Sequence, residues 1–464
     1  MKAFMDEDFL LTTDTARALY HDYAAKMPII DYHCHVPPRE IYEDRAYDNI
    51  TQLWLGGNFY GDHYRWRIMR ACGEPERCIT GDSGDYEKFL AFSRCLPKIP
   101  GNPVYHWAHL ELKRYFGCDI PLDEDTADEI WNRCNEALRT GLTVREILRR
   151  SNVVGLATTD DPLDTLEWHE KLAADPTFNI TVKPAWRPDK LMNIRQAGFA
   201  AYIAKLGEIN SMESLRKAVR ARMDHFGNHG CSASDHGIES LECVAATEAE
   251  LDAILAKAIR GEEVTPREAA AYQYACMLFL GEEYGKRDWV MEIHYGAIRN
   301  VNSAQFKAMG PDTGYDAIAP VVAVPGLPAL LDALNSKGCL PKTVLFSLSP
   351  NDDAMLSTIA GGFQQEGVRG KVQQGVPWWF NDTKQGMIDQ MTTLASLAPL
   401  DNFLGMVTDS RSFLAYPRHE YFRRILCELL GQWVEKGEFP ADMARLGRLV
   451  QNVSYNNIKE YFGY

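Results

Sequence analysis

The chain has 464 residues, of which 46% are hydrophobic and 24% charged, and its formal net charge is −15. That balance belongs to a globular protein with a large core and excludes collagen-like, low-complexity or highly charged disordered chains. The acidic surplus argues against nucleic acid or an anionic membrane as partner, and an anionic substrate would need local arginines to overcome the overall field.

The opening MKAFMDEDFLLTTD carries acids where a secretory signal needs a basic start and an apolar run. No apolar stretch reaches the roughly 18 residues of a membrane span. Eleven cysteines, odd in number and without a CxxC pair, fit free thiols in a reducing compartment. The expectation is a soluble cytoplasmic protein.

Eight strand-like segments follow one another, each an apolar or β-branched run ending in polar residues. They are MPIIDYHCH at 27–35, NVVGLATTDDP from 152, FNITVKPAWRPD from 178, HGCSASDHG from 229, WVMEIHYGAIRN from 289, KTVLFSLSPND from 342, KVQQGVPWWFND from 371 and FLGMVTDSRS from 403. The fourth, rich in Gly, Ser and Cys, reads equally as a loop. Helical periodicity between them, as in DPLDTLEWHEKLAAD, implies a parallel sheet. Eight such units predict an α/β fold of the (β/α)8 TIM-barrel class, one unit over 1–464 with no GxGxxG for a Rossmann alternative. Residues 36–150 read as a helical insertion over the barrel mouth, and 190–285 as a mostly helical excursion around the fourth strand.

Barrel chemistry gathers at the C-terminal strand ends. Those ends carry His33 and His35, Asp160 and Asp161, Arg187, Asp235 and His236, His294, Ser349 and Asn351, Trp378 and Trp379, and Asp409 with Arg411. Residues i and i+2 of a strand face the same side, roughly 6.5 Å apart. His33 and His35 therefore both face the barrel axis, while Cys34 points into the wall. Closing the barrel brings Asp409, on the last strand, beside the first. Two imidazoles and one carboxylate make a three-ligand site with an open position, suited to one divalent ion such as zinc.

Arg187, Arg299 and Arg411 supply forks for a carboxylate, so an acidic small molecule is the expected substrate. GDHYRWR at 61–67 places His63 beside Tyr64, although an aromatic-rich loop of this kind more commonly packs than reacts. The PWWFND tryptophans suit either stacking on a sugar or filling the barrel end. His294 reads as a further ligand, a general acid or a core histidine. His21, His106, His109, His169 and His419 lie on predicted helices and read as structural.

The motifs DYHCH, GDHYRWR, NPVYHW, WRPDK, HGCSASDH, HYGAIRN, WWFND and TDSRSFLAY run almost end to end, from FMDEDFLL at residue 4 to NNIKEYF near the C-terminus. Together they resemble the uronate isomerases of the amidohydrolase superfamily. The resemblance implies interconversion of D-glucuronate with D-fructuronate, and of D-galacturonate with D-tagaturonate, early in hexuronate breakdown. It implies His33, His35 and Asp409 as metal-site residues. It also implies active-site positions for His63, Tyr64, Arg187, Asp235, His294, Arg299, Trp379 and Arg411. One departure is LWLGGNFYGDHY, longer than the family's spacing before GDHY. CSASDHG offers no lysine at the fourth strand end, so a single metal is expected rather than the bridged pair of many superfamily members.

Moving a carbonyl from C1 to C2 through an enediol needs a base, a stabiliser of the developing oxyanion and a proton donor. The expected assignment gives the uronate carboxylate to Arg187 or Arg299, the C2-to-C1 proton to Asp409, and the sugar oxygens to Arg411, Tyr64 and His63. A metal-dependent amidohydrolase or lactonase is the alternative of the same superfamily. A homo-oligomer is compatible with the sequence.

Overall fold

The architecture is α/β with parallel sheets, seen in a computed structural model that describes residues 2–56, 61–319 and 326–464. The strands are β1 (Ile29–Asp31), β2 (Val153–Ala157), β3 (Thr181–Lys183), β4 (Ala233–Ile238), β5 (Val290–Tyr295), β6 (Ala297–Ile298), β7 (Ala317–Ile318), β8 (Thr343–Ser347) and β9 (Val372–Gln374). One parallel sheet has the order β1-β2-β3 and a second the order β4-β5-β8-β9. Trp186 bridges Asp160 on one side and Ser234 on the other, which links the two sheets beyond β3. Every residue of β5 and β8 is buried, as parallel strands covered on both faces require.

Seven of the eight predicted segments contain one of these parallel strands. The fourth, which its composition left open to a loop, is β4, at six residues among the longest. The segment 403–410 forms no strand among the described residues, yet it lies along β1. The Asp409 N–H donates to the His33 carbonyl (3.1 Å), and the His35 N–H to that of Ser410 (2.9 Å). Gly405 (φ 67°) and Asp409 (φ 45°) turn this backbone into the left-handed region, and the Asp31 carboxylate takes the Thr408 N–H at 2.8 Å. A ladder needs extended backbone and free amides, and this segment offers neither in sequence. Among the described residues no closed barrel is traced by strand pairing. The antiparallel pair β6–β7, which sequence periodicity did not indicate, carries the Arg299 loop beside the sheet.

Helices fill both predicted excursions. The first holds α1 (His63–Ala71) and α2 (Pro103–Phe116), and the second α3 (Met212–Asn228), α4 (Glu248–Ile259) and α5 (Pro266–Arg287). After β9 come α6 (Lys384–Leu397) and α7 (Pro417–Glu435). Asp62 caps α1 by accepting the N–H groups of Tyr64 (2.9 Å) and Arg65 (3.1 Å), a contact worth about 1 kcal/mol. That cap sets where His63 and Tyr64 begin. Residues 57–60, within the long stretch before GDHY, lie outside the described residues.

Apolar burial falls into two clusters. One joins β1 and β2 to α2, α7 and the C-terminal helices; the other surrounds Trp186, β5 and α3 to α5. The cysteines are all free. No helix among the described residues is long and apolar enough to cross a membrane.

Candidate active site

Past β1 the chain keeps its alternation for four more residues. The Cys34 thiol points away and donates to the Ala157 carbonyl at 3.2 Å. His33 and His35 turn the other way, to one atom: Asp409 Oδ1 lies 3.2 Å from His33 Nε2 and 3.0 Å from His35 Nε2. The second oxygen, Oδ2, accepts the indole N–H of Trp378 (2.6 Å) and of Trp379 (2.7 Å). Asp409 meets these four partners from a left-handed backbone, φ 45°.

A second constellation lies against the first. Register pairs Asp235 with Glu292 and Gly237 with His294 across β4 and β5, so Glu292 and His294 share a face. Asp235 Oδ1 lies 2.7 Å from His294 Nδ1, and Oδ2 is 3.3 Å from the Arg187 guanidinium. Arg187 is also held by Asp189 at 3.0 Å. Glu292 Oε2 lies 3.1 Å from His33 Nδ1. The His33 and His294 rings are 4.5 Å apart between centroids, and His294 Nε2 is buried without a hydrogen-bond partner among the described residues.

This packing shapes the proton affinities. Burial works against a charge on His33, but Asp235, Asp409 and Glu292 outweigh it and hold its pKa well above the ordinary imidazole value. Burial pushes His35 down to about 4 and also lowers His63 and His294. Burial lifts the Glu292 carboxyl to about 7, with His33 pulling the other way. For Asp409 burial is overcome by His33 and His35, and for Asp235 by Arg187 and His33; both carboxylates stay well below their usual range.

Two sets of side chains bring ligand atoms within 4.8 Å of one another: His33, His35 and Asp409, and His33, Asp235 and His294. Ligands about 2.0–2.1 Å from a tetrahedral ion stand roughly 3.3–3.4 Å apart. The 3.2 and 3.0 Å contacts of the first set are close to that spacing. Glu292 against His33 Nδ1 is the carboxylate partner that ligating histidines usually have. The residues present therefore fit a divalent ion.

These groups floor a cleft of about 1070 Å³. Arg187, Arg299, Arg411, Trp379, Asp312 and Asp316 are among its walls. Arg299 stacks on Trp379 (4.5 Å) and pairs with Asp316 at 3.0 Å, while Arg411 reaches Asp312 at 3.4 Å. A smaller pocket of about 40 Å³ opens beyond His35 and Asp409, lined by His63, Tyr64, Arg411 and Arg418. The His63 ring meets Trp379 edge-on at 4.6 Å, and the Tyr64 hydroxyl donates to Asp382 Oδ2 at 2.6 Å.

A family model described as glucuronate isomerase matches residues 1–462. The chain belongs to the glucuronate isomerase family. The uronate isomerase of Lachnospira eligens is 52% identical over 470 residues, covering 100% of both chains. A solved uronate isomerase from Thermotoga maritima is 36% identical, covers 99% of this chain and 100% of its own, and superposes with a TM-score of 0.93. The glucuronate isomerase of Caulobacter crescentus gives 25% identity, coverage of 99% and 97%, and a TM-score of 0.90. The activity is that of a uronate isomerase, an aldose–ketose isomerase, and the amidohydrolase alternative is not favoured.

Every residue that the resemblance implied for the site lines one of the two pockets, whereas His236, Ser349 and Asn351, also placed at strand ends by the sequence, line neither. Glu292, Asp312, Asp316 and Asp382 were missed. Glu292 stands two residues before His294 inside an apolar run, and that spacing on one strand face was a usable signal. Asp312, Asp316 and Asp382 meet their partners only through tertiary contacts. Among the helical histidines, His106 meets the Tyr421 hydroxyl (3.1 Å), and His109 accepts the Leu122 N–H (2.9 Å); neither lines the two pockets.

Proposed function

We propose that the enzyme interconverts D-glucuronate with D-fructuronate, and D-galacturonate with D-tagaturonate, in hexuronate breakdown. The carrying observation is that His33, His35 and Asp409, from opposite ends of the chain, converge on one point beneath a cleft walled by three arginines. We read the parallel strands and the 403–410 segment as a distorted (β/α)8 barrel in a single unit over 1–464, with 36–150 covering its mouth and 190–285 an excursion around β4. The setting we propose is cytoplasmic, with a small acidic sugar as partner, no nucleic acid or membrane, and self-association of the chain.

His33, His35 and Asp409 would hold one divalent ion, for which we propose zinc, an occupant of three-ligand sites that keep an open position. Bound there, the ion supplies Lewis acidity toward a sugar oxygen. Arg187 and Arg299 take the uronate carboxylate; each is now paired with an aspartate, which that carboxylate would rival. Trp379 stacks against the sugar, and Asp235 keeps His294 oriented with Nε2 toward the cleft floor. Asp409 takes the C2 proton and returns it to C1. Its four partners keep it ionised, the form a base needs, but also make it a weak one. Arg411 and His63, beside it in the smaller pocket, therefore polarise the enediolate oxygens, and Tyr64 in the same pocket exchanges protons with them.

The test is an assay of purified protein on glucuronate and galacturonate, following ketose formation alongside metal analysis. Ketose formation with about one equivalent of zinc is expected. Absence of turnover on both uronates would overturn the substrate reading, and a metal other than zinc the assignment of the ion.

A further inference from the structure

The isomerisation moves two protons, not one. Carbon chemistry carries a proton from C2 to C1, and in parallel O2 must lose its proton while O1 gains one. Asp409 serves the carbons in the reading above, which leaves the oxygens without a carrier of their own.

The smaller pocket contains an arrangement suited to that task. Tyr64 lines it beside His35, His63, Asp409 and Arg411. Its hydroxyl hydrogen is already committed, donated to Asp382 Oδ2 at 2.6 Å. The phenolic oxygen therefore offers lone pairs rather than a hydrogen to whatever enters. Asp382 lies behind it, 6% exposed, and its other oxygen, Oδ1, is buried without a hydrogen-bond partner among the described residues. A carboxylate purely for anchoring would leave that oxygen desolvated at a cost and for no return.

We propose that Tyr64 and Asp382 form a relay that carries the hydroxyl proton from O2 to O1 of the enediolate, with Asp382 as its positioning and proton-storing end. This rests on the isomerase mechanism above. After Asp409 has taken the C2 proton, O1 carries the negative charge and O2 keeps its hydrogen. The O2 proton passes to the Tyr64 oxygen as the Tyr64 hydrogen passes to Asp382. The O2–H electron pair becomes the C2=O2 bond as the C1=C2 pair takes the proton back from Asp409 at C1. Asp382 then returns its proton to Tyr64, and the Tyr64 hydrogen goes to O1. Both residues end as they began, and no further reactant is consumed.

The surroundings suit a carboxyl that takes and gives a proton near neutrality. Burial raises Asp382 to about 7, while Arg418 and the Tyr64 hydrogen bond pull it down and the charge of Asp409 pushes it up. The Arg418 guanidinium, 5.4 Å from the Tyr64 ring centre, donates to the Thr408 carbonyl at 2.9 Å. Among the described residues Asp382 makes no hydrogen bond to His33, His35 or Asp409, and the charge of Asp409 acts on it only through space.

The test compares Asp382→Asn, Tyr64→Phe and the double variant in the zinc-loaded enzyme, with metal content and Tm as folding controls. Asparagine still accepts the Tyr64 hydrogen bond but cannot store the proton. For Asp382→Asn we expect kcat to fall by about 10²-fold, with KM little changed and loss of the kcat limb near neutrality. The double variant should be no slower than Tyr64→Phe, because a relay has one path. Parental kcat and pH profile in Asp382→Asn, with Tyr64→Phe impaired, would overturn the relay and leave the isomerase reading standing. Additive losses in the double variant would overturn it too. Parental turnover in Tyr64→Phe would remove Tyr64 from the mechanism and the relay with it.

Discussion

The floor and the rim of the cleft are built by different means. On the floor, His33, Asp235, Glu292, His294 and Asp409 are all nearly buried; strand register sets the spacing of Asp235, Glu292 and His294, and backbone hydrogen bonds between the segments after β1 and at 403–410 set that of His33 and Asp409. On the rim, Arg187, Arg299 and Arg411 keep about a quarter to a third of their side-chain surface, at 27%, 23% and 33%; the aspartates that pair with Arg299 and Arg411 come from loops, while Arg187 reaches down to Asp235 of β4. Buried charges at contact distance are strongly coupled, so removing one strands the others. Half-solvated pairs are individually worth about 0–1 kcal/mol and exchange partners at little cost. The floor is suited to holding an ion and a reacting carbon still, and the rim to trading an aspartate for a substrate carboxylate.

The sharpest way to break this contrast is at Asp409. Asparagine accepts a left-handed backbone, so Asp409→Asn should remain folded by circular dichroism while kcat falls by about 10³-fold or more, the scale of losing a catalytic base. Retention of most activity would show the floor to be scaffolding. Next comes Glu292→Leu, which removes the carboxylate behind His33. Zinc affinity, read by competition with a chelator, should weaken by about 10–100-fold, and unchanged affinity would mean that register alone orients His33.

The smallest effect lies outside both regions and measures what burial does by itself. Asp353, 5% exposed and accepting from Gln374 at 2.7 Å, is raised by burial to about 7. A carboxyl whose folded pKa exceeds its unfolded value of 3.8 stabilises fully below pH 3.8 and loses that contribution as pH rises to about 7. Asp353→Asn has nothing to ionise. Its Tm relative to the parent should therefore climb between pH 4 and 7 and level off above, by roughly 1–4 °C. A difference independent of pH would mean that Asp353 is already ionised in the folded chain.

Legibility in the sequence divides along the same line. Strand periodicity placed His33, His35, Asp235 and His294 at the right ends, because a period of two is a local property. The same logic located seven of the parallel strands. It failed at 403–410, where Gly405, Asp409 and the Asp31 side chain disrupt the ladder that an apolar run would otherwise join. Glu292 was hidden because an acid within an apolar run looks like noise until its strand partner is known. The aspartates facing Arg299, Arg411 and Tyr64 lie 17, 99 and 318 positions away, and only the folded chain joins them.

The twist at Asp409 also restricts how position 409 can drift. Most side chains pay about 1–2 kcal/mol to adopt a left-handed backbone, and only glycine, asparagine and aspartate enter it readily. Of those three, two lack the negative charge that His33 and His35 face. One dihedral angle thus narrows the readily tolerated alphabet at this position to three letters, and the two imidazoles facing it narrow the working alphabet to one.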